Sequence, residues 1–234
     1  MRTTVRIVSV ALTVFMTAAL ACNAQYTQYP QHAPPRGTGF YVKGGVGPSL
    51  VQDTDLTSFP GSSGDREVQF DYGIRFDIGG GYQVTDWFAA DFEIGFVNNS
   101  IDSIEGAVDE DAWVINIPFM VNAVFQCPRM GRFVPYIGVG AGFSSTILDV
   151  DEITIGSTTV FGGNESDVVL AFQGFAGFRY QIDNRWSIGM EYKYLATDDP
   201  SWEADSATFG GPDEHIRMDS LQTHSVIVGF TYSF

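Results

Sequence analysis

Apolar and polar positions alternate with a period of two at the C-terminal end of the chain. In "HSVIVGFTYSF", Val226, Val228, Phe230, Tyr232 and Phe234 fall on one face, and Ser225, Ile227, Gly229, Thr231 and Ser233 on the other. Strict alternation marks a strand whose two faces meet different surroundings. The pattern recurs in seven upstream stretches: "GFYVKGGVGPS", "QFDYGIRFDIGG", "WFAADFEIGFV", "WVINIPFMVNAVFQ", "RFVPYIGVGAGFS", "VLAFQGFAGFRYQ" and "RWSIGMEYKYL". Each has one face of aromatic, branched and small residues on which no charge falls. The opposite face carries Lys43, Asp71, Arg75, Asp77, Asp91, Glu93, Arg179, Glu191 and Lys193.

Eight antiparallel strands with one greasy and one ionic face fit two architectures. A soluble sandwich turns the apolar face into its core; a membrane barrel turns it out to lipid. The connections discriminate. Three are tight, "VTD" (84–86), "PRMGR" (128–132) and "DNR" (183–185), and four are long, at 51–67, 98–112, 146–166 and 198–219. Short and long alternate, which is up-and-down topology with all the long loops at one end. Strands of about ten residues, each rising about 3.3 Å and tilted by about 40°, span roughly 25 Å, the height of an outer-membrane apolar band. Tyr82, Phe88, Phe125, Phe133, Tyr180, Trp186, Tyr232 and Phe234 gather beside the tight turns as an aromatic girdle. Trp87 has the wrong parity for it, which predicts a one-residue register slip. In lipid every backbone polar group needs a protein partner, so the last strand is expected to pair with the first, around residues 39–49.

The N-terminal residues fit export. Arg2 and Arg6, the apolar run "IVSVALTVFMTAAL" and the small residues of "ACNAQ" form a secretory signal peptide over residues 1–24. Cleavage before Gln25 competes with lipidation at Cys22. A Pro-rich periplasmic tail, "QYTQYPQHAPPRG" (25–37), precedes a barrel over 38–234. Loss of Arg2 and Arg6 takes the net charge from −16 to −18, with 28 acidic residues in the chain. That balance excludes nucleic acid as a partner, because phosphate contacts need clustered Lys and Arg. Cleavage after Ala24 leaves Cys127 as a lone apolar thiol, with no disulfide framework. No stretch is long enough for a helical membrane span.

"PYIGVGAGFS", "FAGFRYQIDNRWSIGMEYKYL" and the terminal "VGFTYSF" resemble the small outer-membrane barrel family that includes the OmpA transmembrane domain, OmpX and the neisserial opacity proteins. The resemblance covers residues 38–234. It implies an all-β fold, an eight-stranded antiparallel up-and-down transmembrane β-barrel with short periplasmic turns and four long acidic surface loops, in the outer membrane of a Gram-negative bacterium. It also implies that Phe230, Tyr232 and Phe234 belong to the signal read by the barrel assembly machinery. OmpA continues into a peptidoglycan-binding domain, whereas this chain stops at the barrel, so a cell-wall anchoring role is not expected.

A barrel of eight strands is just wide enough for side chains to fill. The nine inward charges are therefore expected to pair with one another as an ionic plug, since isolated buried charge is very costly; a narrow ion pore or ligand-binding barrel is the alternative. Gly45, Gly47, Gly79, Gly81, Gly138, Gly140 and Gly142 face inward and relieve crowding. "GVGAG" (138–142) is followed by no helix and is not a phosphate cradle. The long connections hold acids with two basic residues, Arg66 and Arg217. They suit solvated surface loops for envelope integrity or contact with a surface ligand or divalent cations. "DVDE", with Asp149, Asp151 and Glu152, is a weak calcium candidate, and "DEDA" (109–112) another. His224 sits near the outer end of the last strand facing lipid, as a lipid hydrolase would require, but Ser225 points the other way. No catalytic residue and no cofactor are expected, and the chain reads as non-enzymatic.

Overall fold

The computed structural model describes residues 38–52, 54–58, 66–70, 72–104, 112–127, 132–155, 158–203 and 215–234. The signal peptide, the Pro-rich tail, Asp71 and residues 109–111 lie outside them. Twelve strands follow in order: β1 (Gly39–Val51), β2 (Thr54–Ser58), β3 (Arg66–Phe70), β4 (Gly73–Gln83), β5 (Phe88–Ile104), β6 (Ala112–Gln126), β7 (Phe133–Ile155), β8 (Thr158–Gln181), β9 (Trp186–Thr197), β10 (Ser201–Glu203), β11 (His215–Met218) and β12 (Gln222–Ser233). Eight of them, β1, β4 to β9 and β12, are the staves of a closed antiparallel barrel. Consecutive staves pair in sequence order, and β1 pairs β12 from Tyr41↔Ser233 to Val51↔Thr223. Closure leaves no free edge at membrane depth, as lipid demands.

The predicted apolar face is the outer wall. Phe40, Phe76, Phe92, Val121, Phe143, Phe172, Ile188 and Val228 are all exposed, while the opposite parity is buried in the lumen. At the end with the tight turns, rings contact one another around the circumference: Phe40–Tyr82 (4.9 Å), Phe88–Phe125 (5.3 Å), Phe133–Phe178 (4.9 Å) and Trp186–Tyr232 (4.8 Å). This is the expected lower girdle. Trp87 sits in the turn before β5 and stacks on Phe125 at 6.2 Å. The register from Gln83↔Ala89 to Gly80↔Phe92 is continuous, so no slip occurs; parity has no meaning for a residue outside the strand.

The long connections differ from expectation. β7 and β8 stay paired to Ile155↔Thr158, well past the point where the apolar alternation fades. β5 likewise runs to Ile104. The short strands β2, β3, β10 and β11 pair with one another, and β3 joins β5, continuing the wall beyond the band. A strand solvated on both faces needs no hydrophobic alternation, so its pairing leaves no mark of period two. Asp149, Asp151 and Glu152 thus lie on β7 rather than in a loop; their side chains, like that of His215, fall outside the described residues. Cys127 is disulfide-bonded in the full-length chain; the lone thiol is the expectation for the chain from which Cys22 has been removed.

Inward glycines make room for bulk across the lumen. A Cβ on Gly81 would come within 2.7 Å of the Tyr41 ring, and one on Gly138 would overlap the ring of Phe175. Without these two glycines, the apolar layer of Tyr41, Ala89, Val124 and Phe175 would not fit within the barrel.

Candidate functional site

The inward charges of β1, β4, β5 and β9 converge at mid-height. Each sits at a lumen-facing position because the pleat sends every second side chain inward. Glu93 is the centre. Its carboxylate lies 2.8 Å from Lys43 Nζ, 2.5 Å from Lys193 Nζ and 3.5 Å from Arg75 Nη2. Lys193 also meets Asp77 (2.9 Å) and Glu191 (3.2 Å). Lys43 also meets Asp91 at 2.9 Å, and Arg75 donates through Nε to Asp77 at 2.8 Å. Arg75, Glu93 and Lys193 are fully enclosed. Opposite charges at these distances inside the lumen attract strongly, but each gave up bulk water to get there, so the network specifies one arrangement more than it adds net stability.

Neutral groups complete it. Tyr41 Oη donates to Asp91 at 2.9 Å, and Asn122 Nδ2 donates to the same carboxylate at 2.7 Å. Gln173 Nε2 donates to Asn122 Oδ1 (2.6 Å) and Glu93 (3.3 Å). The Phe175 ring lies 5.6 Å from both lysine ammoniums, close enough for its π face to share the positive charge. These partners were not singled out in the sequence. Asn122 and Gln173 carry the same inward parity as the charges, in "FMVNAVF" and "AFQGF", and polar residues at that parity were the available signal.

Arg179 stands apart from the other cations. It hydrogen-bonds Gln126, and its guanidinium lies over the Tyr136 ring at 4.8 Å. Among the described residues the inward charges therefore balance: Lys43, Arg75, Arg179 and Lys193 against Asp77, Asp91, Glu93 and Glu191. Asp71 lies outside the described residues. Beside Lys43, Glu191 and Arg179 is a cavity of about 50 Å³, walled on one side by Gly45, Gly189 and Gly229. These glycines are register partners across β1, β12 and β9. A space of that size holds about three or four waters. Arg75 Nη1 and Arg179 Nε are buried without a protein partner, the kind of group that internal water satisfies.

The remaining candidates separate. His224 is on the outer wall and Ser225 is enclosed in the lumen, so the two do not meet. Among the described residues no group of three or more His, Cys, Asp or Glu is placed to hold a metal ion. Phe234 is tied to the closing seam, its amide donating to Phe40 O at 3.0 Å, and its ring packs edge-on against Tyr232.

OprG from Pseudomonas aeruginosa superposes with a TM-score of 0.63 at 16% identity, over 86% of this chain and 99% of its own. The outer membrane protein AlkL, determined in lipid bilayers, gives 0.52 at 18% identity over 90% of this chain and 97% of its own. The outer membrane protease OmpT from Escherichia coli gives 0.51 at 7% identity, over 87% and 99%. At such identities the likeness is one of fold. Among curated proteins none matches the chain. The match that decides membership is to the family described as outer membrane protein beta-barrel domain, over residues 7–234: this chain belongs to that family and is an outer-membrane protein.

Proposed function

We propose that the chain is a non-enzymatic, non-conducting barrel whose role, in envelope integrity or surface interaction, is carried by its acidic outer end. The observation that supports this most is the Glu93-centred network, which ties β1, β4, β5 and β9 together across the lumen. An ion crossing the barrel would have to displace charges that are already paired with one another across the lumen. Planar-bilayer recording tests the reading: purified barrel should give no steady current. A steady conductance that changes with Arg75→Ala or Glu93→Gln would replace it with the pore.

The pore is the second reading, and the glycine-walled cavity favours it. That cavity continues beside Lys43, which is the least buried lumen lysine. Proteolysis, the activity in OmpT's name, is not carried over from 7% identity. On the outside, solvated acids suit a basic or glycan partner, or divalent cations at Asp149, Asp151 and Glu152; calorimetric titration of calcium, with and without those three changed to Asn or Gln, decides the cation case. Phe230, Tyr232 and Phe234 suit the assembly machinery as an aromatic edge along the seam, with Phe230 and Phe234 exposed and Tyr232 half-buried between them. Deleting Phe234 should reduce the folded fraction in cells while the purified protein still refolds in detergent.

A further inference from the structure

One cluster on the outer wall has no part in the lumen network. His224, Tyr192, Tyr194, Gln222 and Gln52 meet near the outer end of β9 and β12. His224 Nδ1 is 2.6 Å from Tyr192 Oη, and its Nε2 is 2.6 Å from Gln52 Nε2. An amide nitrogen only donates, so Nε2 accepts and the ring is neutral with its proton on Nδ1, donating to Tyr192. Tyr192 is left with its own hydroxyl proton to give. Tyr194 donates to Gln222 Oε1 at 2.9 Å, which leaves the Gln222 amide protons free. The Tyr194 ring lies 5.2 Å from the imidazole.

The second observation lies on the adjoining strand. Gly174 and Ala176 of β8 are the register partners of Tyr194 and Tyr192. A Cβ built on Gly174 would meet nothing within 4 Å, whereas Phe172, Phe178 and Val139 around it stand out from the wall. Small residues there leave a shallow groove level with the two tyrosines, bounded along β8 by Phe172 above and Phe178 below. The cluster is eight residues from Tyr232 along β12, roughly 20 Å above the lower girdle. That is the level at which the outer leaflet's head groups begin, and an outward side chain there can be reached only from the lipid.

We propose that this patch seats one glycolipid of the outer leaflet, with sugar hydroxyls on Tyr192 and Gln222 and an acyl chain in the Gly174–Ala176 groove. The proposal rests on the outer-membrane placement of the barrel. An uncharged donor set beside an aromatic ring face suits hydroxyl-rich sugar better than a phosphate-only head group, which would call for Lys or Arg. The groove continues the lipid-facing wall, so a head group and its chain bind one surface.

Native mass spectrometry tests this on full-length barrel refolded with equal lipopolysaccharide and phosphatidylglycerol, then exchanged into detergent. Wild type should retain one lipopolysaccharide. Retention should fall roughly tenfold or more in Tyr192→Phe/Gln222→Leu, for two lost hydrogen bonds, and also in Gly174→Leu, which fills the groove. Both variants should keep the faster gel mobility of unboiled barrel, which separates loss of the site from loss of the fold. Equal retention by the variants, or phosphatidylglycerol retained in place of lipopolysaccharide, overturns the proposal.

Discussion

Glu93 is the residue on which the lumen turns. Two ammoniums and a guanidinium share its carboxylate, so Glu93→Gln leaves excess positive charge enclosed in the lumen. The expected loss is roughly 3–5 kcal/mol of unfolding free energy, measured as a lower denaturant midpoint for the barrel in detergent. Adding Lys193→Met should return part of it, because removing both members of a buried pair costs less than removing one. Asp183 makes a pH prediction at the other end of the molecule. Its Oδ1 accepts from the Trp186 and Arg185 amides at 2.7 Å each, and these bonds hold the carboxyl below its usual range. A depressed value means stability that is present above the unfolded pKa and lost as pH falls through the folded one. Unfolding rates of wild type and Asp183→Ala should therefore diverge at neutral pH and converge in acid. At this scale the sequence told which side chains face inward, because parity does so. It did not tell which charge meets which, since partners such as Glu93 and Lys193 are brought together by closure of the ring, not by spacing along the chain.

Among the elements, the staves were legible and their outer continuations were not. Where one face met lipid and the other the lumen, period two appeared and gave β1, β6 and β12 to within about two residues, whereas the stretch read for β4 began four residues early, across the break between β3 and β4. Beyond the band the two faces no longer need different chemistry, and 146–155 and 158–166 read as loop although they are strand. Trp87 misled for a related reason, since parity was applied to a turn. The inward glycines were recognised by parity, and the structure adds what each accommodates. Gly138→Ala should push Phe175 away from the two lysine ammoniums and lower stability by about 1–3 kcal/mol, as overpacking does. Phe175→Leu in the same chain should recover most of that loss. Denaturant midpoints of the two variants check both statements.

For the whole molecule, the decisive legible feature was the alternation of short and long connections, because it orients every stave and both ends of the barrel at once. A closed antiparallel ring should resist sodium dodecyl sulfate at room temperature and open on boiling, so unboiled and boiled samples should differ in gel mobility; identical mobility would count against closure. The ring has a further consequence. Residue 41 lies opposite residue 233 in the ladder, so the seam is bonded like every other junction and its position is an accident of covalent connectivity. A circularly permuted chain, with a short linker joining β12 to β1 and new ends opened in the turn at 182–185, should refold to the same barrel.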